Sequence, residues 1–197
     1  MSGFREVLFG QACEILQRLF GERAVSFEEG RLLRQAWECS KFGNVLLDAV
    51  EDVTGTRARE YLEPVLSTKG FLTRREEWHA ARLRRREIIG YRGCSLREVE
   101  GDDLGASWTL DRRVAEFFAR RAIGGDGRVV TARIRAAVWL ETPESELVCL
   151  HVDKSDLIAA EKAGIGSAID LPWERVKPMA PRRQMAVRQV VDDRNVQ

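Results

Sequence analysis

Apolar residues recur at three- and four-residue spacing through the first 87 positions and at two-residue spacing after them. That change of period predicts a helical N-terminal segment followed by a β-rich region. Phe4, Leu8, Ala12, Ile15 and Leu19 mark one face of a first helix that stops at Gly21. A capping box of Ser26 with Glu29 opens a second helix, whose apolar side is Leu32, Leu33, Ala36 and Trp37. A third apolar run, from Val45 to Val53, ends at Gly55, and a fourth around Tyr61, Leu62, Val65 and Leu66 is interrupted by Pro64. Thr73 with Glu76 caps a fifth helix rich in arginine.

After Glu87 the runs shorten. Residues 88 to 92 read as a strand, residues 98 to 105 as a loop, and residues 107 to 109 as a second extended piece. Asp111 is placed to cap a helix with Val114, Ala115, Phe118 and Ala119 on one face. Residues 128 to 135 alternate, with Val130, Ala132 and Ile134 against Thr131, Arg133 and Arg135, as a half-buried strand requires. Further strands are expected over residues 136 to 140 and 144 to 152. A short helix capped by Ser155 then leads into a basic extension with Pro172, Pro178 and Pro181. The predicted fold class is α+β: a helical segment over 1–87, a split, mostly antiparallel β core over 88–153, and a short helix with a basic C-terminal extension over 154–197.

Composition narrows the function classes. The chain has 197 residues, 44% of them hydrophobic, enough for one domain with a sizeable core. Thirty-two Lys and Arg against 31 Asp and Glu leave a formal charge of +1, which disfavours a general coat for nucleic-acid phosphates. No run longer than seven residues lacks an ionisable side chain. A membrane-spanning helix and the apolar core of a secretory signal are therefore not expected, and a cytoplasmic protein is. Cys13, Cys39, Cys94 and Cys149 form no C-x-x-C pair and are read as free thiols, and with two histidines no metal site is expected. Phosphate-loop, dinucleotide-fingerprint, G-x-S-x-G and H-E-x-x-H motifs are absent, and the glycines from Gly124 to Gly127 read as a tight turn.

A three-part pattern remains. Tyr91-Arg92-Gly93 ends the first strand, Ser107-Trp108-Thr109 is the second extended piece, and Glu144-Ser145-Glu146 opens the last strand. Period two puts Ser107 and Thr109 on one face with Trp108 opposite, and Glu144 and Glu146 together. In this order, with residues 105 to 112 around the second part and 115 to 119 following it, the set resembles the arginine–serine–glutamate class of mono-ADP-ribosyltransferases, the cholera-toxin-like class of bacterial and phage enzymes. The resemblance covers residues 88 to 152.

That resemblance implies an enzyme that cleaves the nicotinamide–ribose bond of NAD and transfers ADP-ribose to a macromolecular acceptor, a protein side chain such as arginine or a nucleic acid. Glu146 would stabilise positive charge developing on the ribose, as carboxylates do in glycoside cleavage. Ser107 would position it, and Glu144 would orient the acceptor. Arg92 would bind the phosphate side of NAD through its planar guanidinium. Tyr91, Gly93, Trp108 and Thr109 complete the implied NAD site, with Phe117 or Phe118 walling the nicotinamide. Many members carry Ser-Thr-Ser at the second part, and Ser107-Trp108-Thr109 keeps the two outer hydroxyls. Arg120, Arg121 and Arg128 are candidates for a second phosphate contact by sequence proximity. No metal or membrane is implied. The helices before residue 88 are expected to shape acceptor recognition or to meet a neutralising partner. An NAD glycohydrolase and a non-catalytic module with the same fold are the alternative readings.

The charges are laid out unevenly. From Lys69 to Arg92 there are eight basic and three acidic residues, and from Glu141 to Glu161 six acidic residues against one Lys. The pattern draws Arg92 from the first region and Glu146 from the second.

Overall fold

The computed structural model describes residues 2–39, 44–55, 61–83, 87–101, 104–122, 125–142 and 146–163. Helix α1 (Ser2–Phe20) buries Leu8, Ala12, Ile15 and Leu16, while Phe4 stays exposed. Helix α2 (Phe27–Glu38) starts at the expected capping box, where Ser26 Oγ accepts from the Glu29 N–H and the Glu29 carboxylate accepts from the Ser26 N–H. Helix α3 (Val45–Thr54) is capped by Asn44 and stops at Gly55, which takes a left-handed φ of 67° that costs glycine little. Pro64 does not interrupt α4 (Leu62–Leu66). It lies in the first turn, where a backbone N–H has no intrahelical acceptor to lose. Helix α5 (Arg74–Leu83) begins where Thr73 and Glu76 exchange hydrogen bonds.

The sheet has five described strands: β1 (Ile88–Ser95), β2 (Ser107–Thr109), β3 (Gly127–Trp139), β4 (Glu146–His151) and β5 (Leu157–Lys162), paired antiparallel throughout. Two strands were expected over residues 128 to 140; β3 is one, because no turn residue divides it. Its first part pairs with β1 and β5 and its last part with β4. Since β2 pairs with both β4 and β1, the pairings β1–β3–β4–β2–β1 close on themselves, and the last of them is a single residue pair, Tyr91 with Thr109. The residues after Asp153 also differ from expectation. Asp153, not Ser155, caps a 3-10 turn, Lys154–Asp156, and β5 follows, using backbone groups along the first part of β3.

Two shorter helices flank β1. Helix α6 (Leu96–Glu100) occupies part of the expected loop and is started by a Ser95–Glu98 capping box. Helix α7 (Arg112–Arg120) is capped by Asp111, as its sequence predicts, and lies directly on β1. Gly93 makes that approach possible, since a Cβ there would stand 2.0 Å from the Ala115 carbonyl oxygen.

The N-terminal helices and the sheet share one core. Leu16, Leu33, Trp37, Leu46, Val50, Leu62 and Phe71 form a cluster that continues into Ala106, Val138, Leu140 and Val148. A second cluster, including Trp108, Val130, Ile134, Leu147 and Cys149, fills the opposite side. Among the described residues no helix is long and apolar enough to cross a membrane. Residues 84–86 and the proline-containing segment from 164 onward lie outside the described residues.

One buried ion pair ties helices to sheet. The Glu76 carboxylate, fully buried, accepts from Arg34 Nη2 at 2.9 Å, from the Thr73 N–H at 2.8 Å and from the Glu141 N–H at 2.6 Å. Removing it leaves the Thr73 and Glu141 N–H groups without their acceptor and the largely buried Arg34 guanidinium with Glu38 alone. Glu76→Ala should therefore cost about 3–5 kcal/mol of stability, read as a lower urea midpoint at unchanged slope.

Candidate functional site

A cleft of about 690 Å³ opens between the N-terminal helices and the β core. Trp37, Glu38, Asn44 and Leu47 form the helical wall; β1, β2, α7 and the β3–β4 connection form the other. A volume of this size is within the roughly 300–1,000 Å³ common for small-molecule sites.

The strands position the carboxylate. In the β2–β4 ladder Thr109 faces Glu146 and Ser107 faces Val148, so Ser107, Thr109 and Glu146 share one face while Trp108 and Leu147 share the other. Ser107 and Glu146 are diagonal neighbours, and Ser107 Oγ donates to Glu146 Oε1 at 2.5 Å. The second carboxylate oxygen is also held: Trp37 Nε1 donates to Oε2 at 3.0 Å from helix α2. Behind the carboxylate the Glu146 N–H donates to Thr142 Oγ1 at 3.2 Å.

Arg92 stands where β1 and β2 share their single residue pair. Its Nη1 donates to the Ser107 carbonyl at 2.7 Å and its Nη2 to Glu98 Oε2 at 2.8 Å. The guanidinium thus replaces a missing stretch of ladder with side-chain hydrogen bonds. Gly105 makes room for it: φ is 66°, and a Cβ there would lie 2.5 Å from Arg92 Nη2. Arg92 Nε is buried and has no hydrogen-bond partner among the described residues.

The chain matches no family model, no curated protein and no solved structure. Its site is therefore read from its own geometry. Tyr91, Arg92, Gly93, Ser107, Trp108, Thr109, Phe118 and Glu146 all border the cleft. Phe118 is half-exposed there, whereas Phe117 lies against Arg121, whose guanidinium is 3.7 Å from the ring centre. Of the two phenylalanines, Phe118 is the one that lines the cleft. Trp108 is 2% exposed, its ring packed into the second cluster and its Nε1 donating to the Gly105 carbonyl. Arg120, Arg121 and Arg128 are not among the cleft-lining residues. Glu144 lies outside the described residues.

Three participants escape sequence reasoning. Trp37 carries no local sign that separates it from its apolar neighbours on α2. Gly105 matters through Arg92, and that contact is non-local. Glu98 had a legible signal, because Ser95-x-x-Glu98 is a capping box. A nearby thiol can be set aside as a nucleophile: burial pushes Cys94 up to about 11, against the pull of Arg92, so it stays protonated at neutral pH. Among the described residues no group of three His, Cys, Asp or Glu is arranged to hold a metal ion.

Glu98 makes the Arg92 tether pH-dependent. Burial alone raises its carboxyl, but the Ser95 N–H and the Arg92 guanidinium outweigh that and hold it below its ordinary 4.5. A carboxyl depressed on folding contributes stability above its unfolded value, and the contribution is lost as pH falls through the lower folded value. Glu98→Gln should therefore flatten the loss of stability below about pH 4.5, measured as urea midpoints across pH 3 to 7. A slope identical to that of the parent protein would show that the tether contributes nothing.

Proposed function

We propose that this protein is an NAD-dependent mono-ADP-ribosyltransferase that passes ADP-ribose from NAD to a protein side chain or a nucleic acid. The observation that carries this reading is the Glu146 carboxylate, held by Ser107 Oγ at 2.5 Å within a cleft that Arg92 also borders. These are the three residues of the sequence pattern that resembles the arginine–serine–glutamate class. Helices followed by an antiparallel sheet are compatible with an ADP-ribosyltransferase-type fold.

The donor set fits the substrate by charge. A carboxylate and a guanidinium border one cleft, as a ligand with a cationic nicotinamide and an anionic diphosphate requires, and Tyr91 and Phe118 offer aromatic surface between polar groups. In the reaction the nicotinamide–ribose C–N bond breaks, its electron pair leaves with neutral nicotinamide, and positive charge builds on the ribose. Glu146 accepts a hydrogen bond from the ribose 2′-hydroxyl and stabilises that charge. Because Ser107 and Trp37 already hold both carboxylate oxygens, little reorganisation is needed as the charge appears. The acceptor nucleophile then bonds to the ribose carbon and loses its proton, with Glu144 the acid proposed to orient it. Arg92 has a double part: its charge favours the diphosphate, and its bond to the Ser107 carbonyl holds the strand that carries Ser107.

The test is incubation with a cell extract and NAD labelled on the adenylate side. The expected result is nicotinamide release with label on a macromolecule, and protease or nuclease sensitivity then names the acceptor class. Free ADP-ribose alone would assign a glycohydrolase instead, and no NAD turnover would leave a binding module. Glu146→Gln should keep the fold and lower turnover on the order of 10²- to 10³-fold. Near-normal turnover in that variant overturns the assignment.

A further inference from the structure

Helix α2 is anchored to both ends of the chain connecting β3 and β4. One turn before its C-terminus, Arg34 pairs with the buried Glu76, which in turn accepts from the Glu141 N–H at the start of that connection. At its end, Trp37 donates to the Glu146 carboxylate across 109 residues of sequence. The indole is 2% exposed and packed in the shared core among the helices, so its N–H has a fixed direction. A fixed, shielded donor strengthens a bond to a carboxylate, because water competes poorly for the buried N–H.

The two donors have different origins. Ser107 comes from the strand beside Glu146, and a hydroxyl can rotate away from its acceptor. The indole N–H cannot, since its ring is locked by packing. Ser107 holds one oxygen of the carboxylate, and the rigid indole donor on the other oxygen restrains its rotation.

We propose that Trp37 is a positioning residue for Glu146, so that the N-terminal helical segment completes the catalytic site and is not an appended recognition element. This rests on the transferase reading. Trp37 acts through the carboxylate and makes its contribution where charge develops on the ribose, with little effect on how tightly NAD is held.

Trp37→Phe keeps an aromatic ring in the core and removes the N–H. In the full chain it should lower kcat for nicotinamide release on the order of 10- to 100-fold, the size of a hydrogen bond to a charged group, with KM for NAD nearly unchanged. If the smaller ring prevents folding, β-(3-benzothienyl)alanine at position 37 keeps the bicyclic shape with sulfur in place of N–H, and the same split is expected. A structural readout runs beside the kinetics. The Trp37 indole N–H resonance, identified by its loss in Trp37→Phe, should be slow to exchange with solvent, and should shift and lose that protection in Glu146→Ala. Parental kcat in a folded variant, a raised KM at unchanged kcat, or an indole resonance indifferent to Glu146→Ala each overturns the proposal while the transferase reading stands. Absence of NAD turnover in the parent protein, with the indole still coupled to Glu146, overturns the transferase reading and with it the catalytic part of Trp37.

Discussion

Arg92 holds together a place where the backbone alone does not. Antiparallel strands normally satisfy their polar groups along a ladder, yet β1 and β2 meet at one residue pair, and the Ser107 carbonyl is met by a guanidinium instead. The donor is charged and the bond is 2.7 Å long, so it is stronger than the neutral backbone bond it stands in for. The tether extends in two directions. On one side Glu98 secures the guanidinium to α6, and on the other Ser107 secures the Glu146 carboxylate. Gly105 is part of the same arrangement, because its left-handed backbone and missing side chain leave the space that Arg92 fills.

A chain of contacts thus runs from a helix cap to a carboxylate: Ser95, Glu98, Arg92, Ser107, Glu146. It ends on the helical side of the cleft at Trp37. The cleft lies between two parts of the chain with different sequence character, and the shared hydrophobic core keeps those parts in register. The buried Arg34–Glu76 pair has the same effect by other means, since it attaches α2 and α5 to the backbone that precedes the carboxylate. Buried pairs of this kind contribute little net stability but are costly to break. Such a pair defines where the segment sits more than how firmly the whole chain folds.

Much of the fold was legible locally. The capping boxes at Ser26 and Thr73, the stop at Gly55, the Asp111 cap and the alternation of Val130, Ala132 and Ile134 all depend on neighbours a few residues apart. Errors came where a local rule met a positional exception or a long-range partner. Pro64 is harmless because of where it falls in its turn. The strand β5 forms because β3 presents backbone groups for it, and its own residues alternate weakly. The single long β3 was split in two because a change of neighbour, from β1 to β4, leaves no mark on the strand itself.

Taken alone, the sequence determined residue types that border the cleft and their order: an arginine on the first strand, a hydroxyl on the second, a phenylalanine on the helix that follows and the acid Glu146; the expected strand end at Arg92 is not one, because β1 continues to pair with β3 as far as Ser95. Period two and helix periodicity are properties of short segments, so those assignments needed no knowledge of the fold. Only the tertiary structure decided that Glu146 is gripped from both sides, that Phe118 and not Phe117 faces the cleft, and that α2 supplies the second donor. Each of these is a contact between distant parts of the chain. Such contacts are set by how the helices bury their apolar faces against the sheet, and no pattern within a single element encodes that packing.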